Sequence, residues 1–139
     1  MKIKGYSIRA KLSLFIFLMA AVNFGCATIG SLGPGTEKGY KFTIEDKTYD
    51  EIWKAAIKAV TRSLTIVESN KELGIIKAEK GASLFTWGEV AGVFITPPNV
   101  KSSRYQVEVV SEKRSKGQIT GQDWTLNIVE GIKAELDLR

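Results

Sequence analysis

The stretch "TYDEIWKAAIKAVTRSL", residues 48–64, followed directly by "TIVESNKELGIIKAEK", residues 65–80, decides the fold. In the first part, Thr48 and Glu51 have the T-x-x-E spacing of a capping box, and apolar residues then recur every three to four positions. This period predicts an amphipathic helix. In the second part, two runs rich in β-branched residues flank residues 70–74, where Asn70 and Gly74 are turn formers. The stretch therefore predicts a helix followed by a β-hairpin.

The sequence on both sides of this stretch predicts more strands and a second helix. Apolar and polar residues alternate in "YKFTI" (40–44) and "RYQVEVVSE" (104–112), and the short run "QITG" (118–121) is also interpreted as strand. The last element, "DWTLNIVEGIKAELDL" (123–138), has helical periodicity with Asp123 as its expected N-cap. We expect an α+β two-layer sandwich, in which two helices pack on one face of an antiparallel sheet of about five strands.

Part of this pattern resembles the small α/β domains of bacterial lipoproteins, including those of the C subunit of the outer-membrane β-barrel assembly machinery. The resemblance covers about residues 40–80, and the matching residues are Tyr49, Ile52, Trp53, Gly74, Ile75 and Ala78. These are core and turn positions, so the resemblance implies an architecture first. It also implies an accessory role in outer-membrane assembly.

The first 25 residues have the pattern of a secretory signal peptide. Their basic start is followed by the charge-free apolar run 12–24, which is shorter than most membrane-spanning helices and therefore favours cleavage over retention. The whole chain has a formal charge of +5, and four of its basic residues lie in this leader, which contains no acid: Lys2, Lys4, Arg9 and Lys11. The rest is therefore almost neutral, which argues against nucleic acid as a partner.

Cys26, the only cysteine, follows this leader directly. Gly25-Cys26 resembles the lipobox of bacterial lipoproteins, which implies cleavage before Cys26 and a diacylglycerol-modified cysteine that anchors the chain in a membrane. In that family an Asp after the cysteine retains the protein in the inner membrane. Ala27 stands there in this chain, so the resemblance implies the periplasmic face of the outer membrane.

Two other fates of the leader stay open. Signal peptidase could cut after Ala27 and release a secreted or periplasmic soluble protein, or the leader could be retained as a signal anchor. The domain prediction is a signal peptide at 1–25, the lipid-anchored Cys26 with a flexible Gly-rich tether at 26–39, and a periplasmic α+β domain at 40–139.

Few residues in the chain suit catalysis. The sequence contains no histidine, which removes Ser-His-Asp and Cys-His mechanisms and the usual zinc sites, and no cofactor or metal is expected. Carboxylate pairs remain possible for acid–base chemistry, namely Asp50 with Glu51 and Glu68 with Glu79. An envelope enzyme that uses carboxylates in a cleft is therefore the alternative to a non-enzymatic binding protein.

The apolar segment from Leu84 to Pro98 is the predicted interaction site. Its partner-binding candidates are Phe85, Trp87, Phe94, Pro97 and Pro98. The hypothesis is that they form an exposed apolar surface for a protein or another envelope component. A core strand with a twisted edge is the competing interpretation.

Overall fold

The computed structural model describes residues 26–96 and 103–138, so the predicted signal peptide, Pro97 and Pro98 lie outside the described residues. A short 3-10 turn spans Ile29–Ser31. It is followed by β1 (Tyr40–Glu45), α1 (Tyr49–Thr61), β2 (Thr65–Asn70), β3 (Ile75–Lys80), β4 (Glu89–Ile95), β5 (Arg104–Lys113) and α2 (Thr125–Glu135). The predicted α+β class, with five antiparallel strands and two helices, is confirmed. Within the described residues, no helix is both long and apolar enough to cross a membrane.

The five strands form one antiparallel sheet in the order β1-β5-β4-β3-β2. β4 lies at its centre and pairs with β3 on one side and β5 on the other, with Val93 opposite Val109. Every residue of β4 is buried, because both faces of the sheet are covered there. Double coverage explains why residues 89–95 have a nearly continuous apolar run instead of an alternating pattern.

Both helices pack on the same face of the sheet. Ile52 and Val60 of α1 and Ile132 of α2 are fully buried against β-strand residues such as Ile76 and Val107. Burial of this apolar face is the main source of stability for helices of this length.

The start of α1 confirms the predicted capping box. The Thr48 hydroxyl accepts a hydrogen bond from the Glu51 amide at 3.3 Å, and the Glu51 carboxylate accepts one from the Thr48 amide at 2.8 Å. These bonds satisfy two backbone donors that the helix itself cannot pair. The bond from the Thr48 backbone also lowers the pKa of Glu51.

The second helix begins slightly later than predicted. Asp123 Oδ1 accepts a hydrogen bond from the Thr125 amide at 2.9 Å, but the N-cap is Trp124, one residue further along. Asp123 therefore stabilises the turn that leads into α2 without being the N-cap.

The hairpin between β2 and β3 also forms as predicted. Asn70 Oδ1 accepts from the Leu73 amide at 3.0 Å, and Gly74 has a φ of +68°. A Cβ at position 74 would lie 2.0 Å from the Ile95 carbonyl oxygen. Gly74 is thus required twice, for its left-handed backbone and for the close approach of β4.

The prediction of a strand at residues 118–121 is wrong. These residues lie in the connection between β5 and α2, and Gly121 has a φ of +101°. Gln118 bonds to neighbouring segments through its side-chain amide, so this run does not join a β-ladder.

The second face of the sheet is covered by residues 27–36, which differs from the flexible tether expected for 26–39. Leu32 is only 3% exposed and packs with Val90, Phe94 and Val110. The buried Glu108 carboxylate accepts hydrogen bonds from the amides of residues 35 and 36 at 2.7 and 3.2 Å. Apolar packing and a buried acceptor therefore hold this segment on the sheet despite its glycine content.

Candidate functional site

Two loops meet at one end of the sheet, namely residues 81–88 between β3 and β4 and residues 114–124 between β5 and α2. The Trp87 amide donates to Gln118 Oε1 at 3.0 Å, and the Thr120 hydroxyl donates to the Phe85 carbonyl. Gln118 Nε2 also donates at 3.1 Å to the buried carboxylate of Glu89. Gln118 thus joins both loops to the first residue of the central strand.

The 81–88 loop has internal hydrogen bonds of its own. The Ser83 amide donates to the Thr86 carbonyl at 2.9 Å, and the Thr86 hydroxyl accepts from the Gly88 amide at 3.2 Å. The backbone amides of Ser83 and Gly88 are therefore paired within the loop. The loop has a defined shape before it meets any ligand.

Four large apolar side chains project from these two loops into solvent. Leu84 and Ile119 are each 96% exposed, Phe85 is 78% exposed and Trp87 is 71% exposed. We call these four residues the apolar tip. Because the described residues leave these side chains on adjoining loops largely uncovered, they indicate an interaction surface.

Cys26 lies at the same end of the molecule. The Ala27 amide donates to the Arg114 carbonyl at 2.9 Å, and the Arg114 amide donates to the Gly88 carbonyl at 3.1 Å. These two bonds place the Ala27 amide and the Gly88 carbonyl within about 10 Å of each other, since only the backbone of one residue separates them. Cys26 is exposed, and it lies close to the base of the 81–88 loop.

A groove of about 510 Å³ runs beside Cys26. Three lysines line it, and we call them the lysine rim: Lys38, Lys113 and Lys116. Two acids, Glu112 and Asp123, also line the groove, so its charged groups sum to a net positive charge. Among residues 26–96 and 103–138, none of the three lysines forms an ion pair, which leaves their charges available to an outside anion.

The structure separates the partner-binding residues predicted from the sequence. Phe85 and Trp87 belong to the apolar tip, whereas Phe94 is only 6% exposed and lies under the segment 27–36 on the second face of the sheet. Pro97 and Pro98 are not among the described residues. The last described residue before them, Thr96, follows the end of β4 that is about 20 Å from Trp87. The predicted surface is therefore not continuous, and Phe94 is a core residue of the second face.

Ile119 of the apolar tip was not among the partner-binding residues predicted from the sequence, which placed it in a strand. Its neighbours "KGQITGQD" (116–123) are rich in glycine and polar residues, which is typical of a loop and not of a strand. A single isoleucine in such a loop can be recognised as an exposed apolar residue. Its proximity to Phe85, however, depends on a contact between distant parts of the chain.

The four carboxylates considered for catalysis do not meet in one cleft. Asp50 pairs with Lys71 at 2.8 Å, and the hydrogen bond and charge of Lys71 lower the pKa of Asp50. Glu51 is used in the capping box, Glu68 pairs with Lys77 at 3.1 Å, and Glu79 pairs with Arg114. Each of these acids therefore has a structural partner.

The described residues contain no group of three or more His, Cys, Asp or Glu side chains that could hold a metal ion. Comparison with known protein families and with curated proteins finds no match to this chain.

Proposed function

We propose that this chain is a lipid-anchored, non-enzymatic lipoprotein of the bacterial envelope, whose periplasmic domain binds a protein or another envelope component. Its place is the periplasmic face of the outer membrane, and an accessory role in outer-membrane assembly fits the lipoprotein resemblance. The observation that carries this proposal is Cys26, a single cysteine directly after a signal-like leader. Its exposure in the structure supports modification, since its thiol is accessible.

The apolar tip supports a binding role for the domain. It is the one group of large exposed apolar residues on adjoining loops among the parts of the chain that the structure describes. Hydrogen bonds between the two loops hold it in shape, so binding there would cost little conformational entropy.

The residues considered for catalysis support a non-enzymatic role, because each is missing from the sequence or engaged elsewhere. The sequence has no histidine, and acylation would consume its only thiol. The carboxylates at positions 50, 51, 68 and 79 are engaged in ion pairs or in a helix cap. None of these four carboxylates lines the groove beside Cys26.

Metabolic labelling with a radioactive or clickable fatty acid tests the anchor. We expect label on the wild-type chain and its recovery in the outer-membrane fraction, and we expect no label on Cys26→Ser. Ser31→Ala is the matched control, because it changes a nearby residue and leaves the cysteine in place. An unlabelled wild-type chain in the soluble fraction would reject the proposal.

Intact mass separates the proposed processing from the two open alternatives. A lipoprotein begins at Cys26 and carries the added mass of its acyl chains. A chain that begins at Thr28 has been cut by an ordinary signal peptidase, and a chain that still contains residues 1–25 is held by its leader. Either of these results would contradict lipidation at Cys26.

A further inference from the structure

We propose that the apolar tip inserts into the surface of the membrane that carries Cys26, while the lysine rim lies against anionic lipid head groups. The domain then rests on the bilayer by this end. This inference depends on the proposed anchoring at Cys26. The domain would then have a non-covalent membrane contact in addition to its covalent anchor, with lipid as the ligand of the apolar tip.

The position of the tip is the first argument. The bonds from Ala27 to Arg114 and from Arg114 to Gly88 fix the first residues after Cys26 beside the base of the 81–88 loop. A lipid on Cys26 would enter the bilayer from this point. Because residues 27–36 are packed on the sheet, the chain after the anchor has little slack with which to turn the tip away.

The chemistry of the tip is the second argument. Residues 81–88 contain no charged side chain, and the exposed groups are one tryptophan, one phenylalanine and two aliphatic side chains. Tryptophan favours the boundary between head groups and acyl chains, where its ring is in an apolar region and its N–H is near water. Side chains of this size reach about 5–10 Å into that boundary.

The lysine rim is the third argument, because it provides charge complementarity. Lys113 and Lys116 flank the start of the 114–124 loop, which also carries Ile119 of the tip. Each lysine near an anionic membrane surface raises the ratio of docked to undocked molecules by about fivefold. Among the described residues at the opposite end of the sheet, the hairpin places the exposed Leu73 next to Lys71, whose charge is paired with Asp50.

Tryptophan fluorescence in vesicles tests this contact. The full chain is extracted from membranes and reconstituted into vesicles of phosphatidylethanolamine and phosphatidylglycerol with brominated acyl chains, which quench nearby tryptophans. Subtracting the Trp87→Phe signal isolates the emission of Trp87. We expect that emission to be blue-shifted and mostly quenched.

A matched variant places the probe at the other end of the sheet. In Trp87→Phe combined with Leu73→Trp, the new tryptophan is exposed and lies about 20 Å from the tip, so we expect no quenching of its emission. Equal quenching at positions 73 and 87, or none at either, in protein that floats with the vesicles would overturn the tip contact while the anchor stands. Protein that does not float with the vesicles would reject the anchor itself.

Two further measurements test the chemistry. The double variant Lys113→Gln with Lys116→Gln should reduce the docked-to-undocked ratio about 25-fold in anionic vesicles and leave it unchanged in phosphatidylcholine vesicles. An equal ratio in both would overturn the role of the lysine rim. In cells, a photoreactive residue at position 87 should capture phospholipid, with position 73 as the control. Capture of one specific protein in place of lipid would show that the tip binds a protein and would overturn the assignment.

Discussion

Replacing Leu32 by alanine tests whether apolar packing holds residues 27–36 on the second face of the sheet. The substitution removes three carbon atoms from a side chain that is almost fully buried against Val90, Phe94 and Val110. At about 0.8 kcal/mol per buried carbon, the segment loses about 2.4 kcal/mol of docking free energy, or about fiftyfold in its docked-to-undocked ratio. We add no cost for a remaining cavity to this transfer free energy, because a surface segment relaxes into the gap more easily than a helix does.

Hydrogen exchange on the full chain measures this effect directly. The amides of Gly35 and Thr36 donate to the buried Glu108 carboxylate, so their exchange reports undocking. In Leu32→Ala we expect these amides to exchange about fiftyfold faster, and to remain less protected than the amides of β4 and β5, which exchange only when the whole domain unfolds. Leu126→Ala, at an exposed position on α2, should change neither group. Unchanged exchange at residues 35 and 36 in Leu32→Ala would refute the role assigned to this packing.

Two other predictions concern the opposite ends of the core. Gly74→Ala should lower the free energy of unfolding by about 3 kcal/mol in urea denaturation, because a left-handed backbone and a close carbonyl oxygen both oppose a Cβ. Gly33→Ala, where a Cβ meets open space, should change it by less than about 0.5 kcal/mol. Lys58 and Arg62 lower the pKa of Glu135, so this carboxylate stabilises the fold above its unfolded pKa of 4.5 and loses that contribution as the pH falls through its folded pKa. Glu135→Gln should therefore lower the Tm at pH 7, and its difference from the wild type should disappear toward pH 3.

A Gly74→Ala protein as stable as the wild type would mean that the hairpin tolerates a side chain against β4. A Tm difference for Glu135→Gln that persists at acidic pH would mean that the glutamate acts by packing and not through its charge.

The local elements could be predicted because their signals lie within a few residues. The capping box of Thr48 and Glu51 and the turn at Gly74 each depend on chemistry inside a span of about five positions. These signals were sufficient for the α+β class, because short connections leave few ways to place two helices on an antiparallel sheet. The start of α2 differs from the predicted one by a single residue, because Asp123 bonds to Thr125 from a position before the N-cap.

The second face of the sheet could not be predicted in this way. Glycines at 30, 33, 35 and 39 indicate a flexible coil, and only the distant partners of Leu32 and the carboxylate of Glu108 reveal that the segment is docked. For the same reason, Phe94 was expected on a binding surface although it is covered by that segment. Contacts between residues more than 50 positions apart leave no periodic signal in a single sequence.

If Cys26 carries the proposed lipid, the docking of residues 27–36 limits how far the domain can travel from the membrane. A free coil of about 13 residues would extend its range by about 20 Å. With the segment on the sheet and Cys26 held in the bilayer, the domain stays within a layer about as thick as its own diameter, which is about 35 Å for 100 residues. Any protein that it binds must therefore come to the membrane surface, and release of Leu32 from the second face is the step that would widen this range.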